Sequence, residues 1–390
     1  MSKKNPYPNY DADNTVKQPK KKKKGSGLFG RIVRRFFLLL FTVIVLIVVA
    51  LCLVLNTVFN GPSDAAREVL TMSLLEPSGT KWIPPLFLDD ETLDAIRNKG
   101  GDELEDDFTN TELVVINKDH AITGDSNEWD DYPDGIRIEE YKGATFNAHI
   151  MIVRDPSAVF MGTSTEKYST DIPGKRINEA MADAGDSVIA AVNAGAFFDN
   201  GTSDPIVGSV PAGLVYSNGQ QVWNAYHGFI PAETGGGFVG FNTDNILVVA
   251  KSITPEQAAE LKIRDGCEFG PVLIMNGEVN MDAYNKASGW NPRSAIGQRE
   301  DGAIIFVCID GRQAGSIGGT YKDVTDIMIE YGAVNACNLD GGSSSVMMYR
   351  DTYGLYGEPG QVQMINSYSV LQSQPRRMPN YWMVRASSEE

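Results

Sequence analysis

Hydrophobic and polar positions divide the chain into three regimes. Residues 36–55 (FFLLLFTVIVLIVVALCLVL) run for twenty positions without a charge. At 1.5 Å per residue a helix of that length matches a bilayer core of about 30 Å, with its backbone groups satisfied internally. From 61 to about 141 the pattern is irregular: a short helix is predicted over 64–75, followed by a proline-containing stretch at 82–88 and an acidic cluster at 102–107. That segment reads as a stalk with peripheral elements. Beyond it, apolar runs of strand length recur at 149–154, 187–193, 246–249, 272–275, 304–310 and 334–338, with Gly, Asn or Asp at their ends.

Helical signals lie between these runs. Thr254-Pro255-Glu256-Gln257 offers an N-cap, a proline at the first helical position and a capping-box glutamine for a helix through Leu261. Thr320 and Asp323 repeat that logic, and Val324, Ile327, Met328 and Tyr331 then form a core-facing stripe at helical spacing. The expected class is α/β of the mixed α+β kind: a mixed β-sheet core with flanking helices, preceded by one transmembrane helix. The expected organisation is a basic cytoplasmic tail (1–35), an anchor (36–55), a stalk with peripheral elements (56–141) and a functional domain (142–386).

Charge sharpens this picture. Residues 1–55 hold 11 Lys/Arg against 2 Asp, whereas the remainder holds 23 against 48 Asp/Glu. Lys20–24, Arg31, Arg34 and Arg35 precede the apolar run and no basic residue follows it over 56–64, so the N-terminus is expected in the cytoplasm and the acidic domain outside the cell membrane. A secretory signal is the rival, but the apolar run is long and no small-x-small cleavage site follows it. The lysine run suits anionic lipid heads, and the acidic remainder argues against nucleic acid as a partner. Outside the anchor, Cys267, Cys308 and Cys337 form neither a disulfide framework nor a zinc pattern and read as small buried hydrophobes.

Four stretches place polar residues beside glycines at strand ends: 193–198 (NAGAFF), 291–297 (NPRSAIG), 310–320 (DGRQAGSIGGT) and 338–345 (NLDGGSSS). Each alone could be a tight turn. Together they contribute Arg293, Arg312, Asp310, Asp340, Asn193 and Asn338, a mixture of anion donors and carboxylates. The Gly341-Gly342-Ser343 amides could form an anion nest that Arg293 completes, and Asp310 ends the most hydrophobic strand, where a carboxylate can serve as base, nucleophile or metal ligand.

This series, with GPVLIMNGE at 270–278 and a closing RRMPNYWMV, resembles the phosphodiester glycosidase family over about residues 149–384. Ser343 stands where the family commonly has a third glycine, Ala196 where Tyr or Gly is usual, and Asp323 where Glu is frequent at a helix start. The resemblance implies hydrolysis of the bond between an anomeric carbon and a phosphodiester oxygen, with N-acetylglucosamine as the type of sugar. It implies Asp310, Asp340 and Arg293 as catalytic groups, and Asn193, Gly195, Phe198, Arg312, Gly318, Asn338, Gly341, Gly342, Ser343 and Ser344 as substrate contacts. The carboxylates could instead hold a divalent cation (Ca or Mg) beside the phosphate; no other cofactor is expected. The expected partners are a phosphorylated glycan of the envelope or an exopolysaccharide, and the bilayer. The alternative is a non-catalytic protein that binds phosphoglycan during envelope assembly.

Overall fold

A computed structural model describes residues 27–77, 79–114, 129–132, 134–198, 208–225, 237–352, 354–355, 357–368 and 374–386. The lysine run and His227 lie outside these. The chain divides into two compact units, Met1–Thr57 and Val58–Glu390.

In the first unit the described structure is helix α1 (Leu28–Phe59), which carries on to the start of the second. It is the one described helix long and apolar enough to cross a membrane. Its 32 residues extend past both ends of the apolar run: no proline interrupts the flanking turns, Gly30 is tolerated in the first one, and Gly61-Pro62 follows the helix end.

The second unit is built from three antiparallel sheets. The largest runs in the order β1 (Ile136–Lys142), β2 (Asn147–Val153), β13 (Ile304–Ile309), β12 (Arg293–Arg299), β14 (Ala333–Leu339), β10 (Val272–Met275), β11 (Glu278–Val279). A second runs β16 (Val362–Met364), β15 (Met347–Arg350), β4 (Val188–Asn193), β17 (Asn380–Arg385), β3 (Val159–Thr163). The third runs β6 (Gln220–Asn224), β5 (Leu214–Ser217), β9 (Ile263–Glu268), β7 (Phe238–Asn242), β8 (Leu247–Ala250). Six further helices flank them: α2 (Asp64–Leu75), α3 (Asp90–Arg97), α4 (Ile177–Ala184), α5 (Pro255–Glu260), α6 (Met281–Asn285) and α7 (Tyr321–Glu330). The class is α+β, as the interleaved strand and helix signals predict.

Alternation along each strand decides what faces what. On β2, Met151 and Val153 join a central cluster with Ile296 and Phe306, with Val192 and Trp382 of the second sheet, and with Phe241 and Leu247 of the third. Trp382 meets Phe241 edge-on at 5.5 Å. The alternate residues Ile150 and Ile152 turn to the opposite face, where α7 covers them with Val324, Ile327 and Met328, the stripe expected from the sequence. All are essentially inaccessible to water, and burying each such side chain contributes ~1.5–3 kcal/mol. Cys267, Cys308 and Cys337 are buried free thiols, and burial pushes all three well above the ordinary thiol range.

Both predicted capping boxes form. Thr254 accepts from the Gln257 amide while Gln257 Oε1 accepts from the Thr254 amide. At α7 the Asp323 carboxylate accepts from the Thr320 amide at 2.7 Å, so an aspartate closes the box there. Thr320→Ala removes the acceptor for the Asp323 amide, and urea unfolding of the full chain should show a loss of about 1 kcal/mol.

Candidate active site

The ends of β12 and β14 lie side by side, with Ser294 paired to Leu339. The turn entering β12 and the turn leaving β14 therefore share one rim of the large sheet. Between them opens a cleft of about 890 Å³ whose lining includes Arg293, Arg312, Asp340, Gly341, Gly342 and Ser343 from the expected set. Its polar wall also includes Glu76, Asn291, Tyr321 and Arg376, with Ser73 and Thr80 beside them.

Arg293 is the best-held of these. It is 5% exposed, its Nε donates to Gly319 O at 3.1 Å, and its Nη2 donates to Gly289 O and to Glu76 Oε2, each at 2.8 Å. The guanidinium lies 4.4 Å from the centre of the Tyr321 ring. Burial by itself works against its charge, but Glu76 and Tyr321 more than offset that and hold it above the ordinary arginine range. Arg312 donates from Nη2 to Asn291 Oδ1 at 3.0 Å. Burial first, and then the neighbouring Arg293 charge, hold Arg312 below its ordinary value. Arg376 sits over the Phe197 ring at 4.8 Å and donates to Ser343 Oγ at 3.3 Å. Ser343 thus spends its side chain on an arginine, and its carbonyl accepts from the Tyr368 hydroxyl.

Asp340 is aimed by backbone bonds. Its amide donates to Ala194 O at 3.1 Å, and its carbonyl accepts from Asn193 Nδ2 at 2.6 Å. Asn193 Oδ1 in turn accepts from Ser294 Oγ and the Val346 amide, so one buried side chain clamps β4, β12 and the loop after β14 together. The tight crossing of the turns needs glycine. A Cβ on Gly318, whose φ is +125°, would lie 2.5 Å from Asn291 N, and one on Gly289 would lie 2.3 Å from Ser73 N.

Several expected contacts stand behind the cleft. Asp310 is 3% exposed and outside the lining: its Oδ1 accepts from the Ser367 amide, and its Oδ2 lies 3.5 Å from His149 Nε2. Asn193, Gly195, Phe198, Gly318, Asn338 and Ser344 also lie outside the lining. Gly195 donates its amide to Asn380 Oδ1, Phe198 donates its amide to Val210 O, and Asn338 Nδ2 donates to Gly270 O. Ser344 is buried with its hydroxyl unsatisfied among the described partners. In the glycine turn, the Gly342 amide donates to Pro292 O at 2.8 Å, so that amide braces the turn where an anion nest was expected. Among the described residues no group of three or more His, Cys, Asp or Glu side chains gathers in metal-binding fashion.

Glu76 had no signal in the sequence. It follows the last turn of α2, in the segment expected to be a stalk, with Pro77 after it. Tyr368, in a polar loop, was equally silent, whereas Arg376 opens the closing RRMPNYWMV stretch, which marked a strand and no site. Asn291 opens the NPRSAIG motif and Tyr321 follows the one that ends at Thr320, and for Asn291 proximity to Arg293 was the available clue.

The profile of the phosphodiester glycosidase family matches residues 186–385. The chain belongs to this family. That span carries Arg293, Arg312, Asp340, the glycine turn and Arg376, whereas Glu76 lies more than a hundred residues before it. A SPbeta prophage-derived uncharacterized protein, YomE, of Bacillus subtilis (strain 168) is 35% identical over 85 residues, which is 21% of this chain and 13% of that protein. Among solved structures, the chain is similar to the zebrafish N-acetylglucosamine-1-phosphodiester alpha-N-acetylglucosaminidase catalytic domain, described as auto-inhibited by pro-peptide. The identity is 18%, the TM-score 0.45, and 64% of this chain and 82% of that one are covered. A hypothetical protein from Synechocystis gives 16% identity and a TM-score of 0.41, over 64% of this chain and 62% of its own.

Proposed function

We propose that this protein hydrolyses sugar 1-phosphodiesters of an N-acetylglucosamine-like type in envelope or extracellular glycans, held at the membrane by α1 with its N-terminus in the cytoplasm. The observation that supports this is the convergence of Arg293, Arg312 and Arg376 on one cleft with Asp340, in a domain whose formal charge is strongly negative. A local cationic focus in an acidic protein suits a substrate with a buried negative centre.

Phosphate is already a good leaving group, so neutralising its developing charge matters more than acid assistance, and the guanidiniums supply that. Asp340 is the carboxylate that faces the oxocarbenium-like carbon. Asp340 lines the cleft, whereas Asp310 lies behind the wall, bonded to Ser367 and near His149. Trp290 and the neighbouring Leu74, Leu75 and Pro77 give the cleft an apolar side for a sugar face. The residue set, rich in guanidinium and poor in grouped carboxylates, suits an anion better than a divalent cation.

The test is to incubate the detergent-solubilised full chain with an aryl or UDP-linked N-acetylglucosamine phosphodiester and measure free sugar. Release at a rate proportional to protein is expected. Tight binding of the diester without release would instead establish a phosphoglycan-binding protein.

A further inference from the structure

We infer that Glu76, contributed by the segment between the apolar helix and the family domain, is a positioning residue of the cleft: it sets Arg293 and Arg312 for the phosphate. This rests on the hydrolase reading above. Its Oε1 accepts from the Gly289 amide at 2.8 Å, and its Oε2 accepts from Asn291 Nδ2 at 2.6 Å and from Arg293 Nη2 at 2.8 Å. Asn291 then passes the constraint on, its Oδ1 accepting from Arg312 Nη2. One carboxylate thus holds two of the three guanidiniums, one directly and one through an amide.

The seat of α2 is built for this. The Trp290 amide donates to Ser73 Oγ at 2.8 Å, and Gly289 touches the Ser73 backbone so closely that a Cβ has no room. Four hydrogen bonds therefore join the end of α2 to the turn entering β12, across more than two hundred residues of sequence. Electrostatics explains why an acid is needed there. Arg293 and Arg312 lie close enough to repel, and without an anion behind them they would spread apart before substrate arrives. Nε and Nη2 of Arg293 are committed to backbone carbonyls and to Glu76, and Tyr321 also hydrogen-bonds the guanidinium, so its orientation is fixed before an oxyanion arrives. The carboxylate works from behind the guanidinium plane, and the charge balance it creates is what a preorganised phosphate site requires.

A positioning role and a blocking role predict opposite signs. Glu76→Gln keeps the size but turns an amide nitrogen toward donors. It should lower kcat of the full chain about 10- to 100-fold and raise KM by up to about tenfold, because the arginines that meet the phosphate are no longer held. Glu76→Asp keeps the charge and should recover part of that loss. A fall in the folded fraction with unchanged kcat per folded molecule would reduce Glu76 to a packing residue, and a rise in kcat/KM would make it a plug; either overturns the proposal. Calorimetric titration with inorganic phosphate separates this from the hydrolase reading. If wild type turns over no diester, that reading fails on its own, while phosphate binding weakened about tenfold in Glu76→Gln still supports positioning. Equal or tighter phosphate binding by the variant sinks it.

Discussion

The Asp340→Asn chain should fold as wild type does and release sugar on the order of a thousandfold or more slowly, because the substitution neutralises the carboxylate that meets the reacting carbon. Folding is expected to survive because two backbone bonds hold residue 340 whatever its side chain: the amide donates to Ala194 O and the carbonyl accepts from Asn193, and neither changes when the carboxylate becomes an amide. Binding should survive as well, since the three arginines are untouched. The loss should therefore appear in kcat, with the Kd for a non-hydrolysed phosphodiester close to wild type. Stopped assays of free sugar, combined with calorimetric titration, read both quantities. An Asp340→Asn protein with more than about a tenth of wild-type kcat would remove Asp340 from the reaction. The same experiment on Asp310→Asn should give a smaller catalytic effect accompanied by a loss of stability. That carboxylate is 3% exposed and accepts from the Ser367 amide, with His149 beside it.

The contrast between the two aspartates marks what the sequence made legible. Both end apolar strands and both precede glycine, so composition and spacing treat them alike. What separates them is the direction each takes after its strand: Asp340 enters the turn that crosses Pro292, whereas Asp310 folds back under Ser316 and Ser367. Local pattern carries no information on that. The same limit applies to Asn193, whose place in a glycine-rich motif suggested sugar recognition while its amide clamps three elements of the domain. Signals that depend on residues a few positions apart, such as the Thr320–Asp323 box and the Val324, Ile327, Met328 stripe, translated directly into structure. The long apolar run did likewise. Strand direction did not follow from the alternation of strands and helices, because every described pairing is antiparallel and the partners β12 and β14 are separated by a strand and a helix in sequence. Glu76 is the extreme case. Its meaning lies wholly in contacts more than two hundred residues away.

Arg293→Ala should damage the protein twice, and the two losses can be measured apart. Catalytically, removing a donor aimed at developing phosphate charge should cost about 10²- to 10³-fold in kcat/KM. Structurally, it leaves the Gly289 carbonyl without the Arg293 donor and the Gly319 carbonyl with the Asn291 amide alone, strips the cation from the Tyr321 ring and leaves the Glu76 carboxylate without its ion-pair partner. Breaking a buried pair from one side costs about 3–5 kcal/mol. The lower end applies here, because the Glu76 side chain keeps 22% of its exposure and the Gly289 and Asn291 donors remain. Urea unfolding of the full chain should show that loss. Arg293→Lys should recover part of the stability but little of the activity, since an ammonium restores a point charge without the planar fork that spans Gly319, Gly289 and Glu76 at once. Adding Glu76→Gln to Arg293→Ala should cost much less than Glu76→Gln costs alone, because the partner whose charge it answers has gone. Simple additivity of the two would mean that Glu76 and Arg293 act independently, and the coupling seen in their 2.8 Å contact would then have no energetic weight.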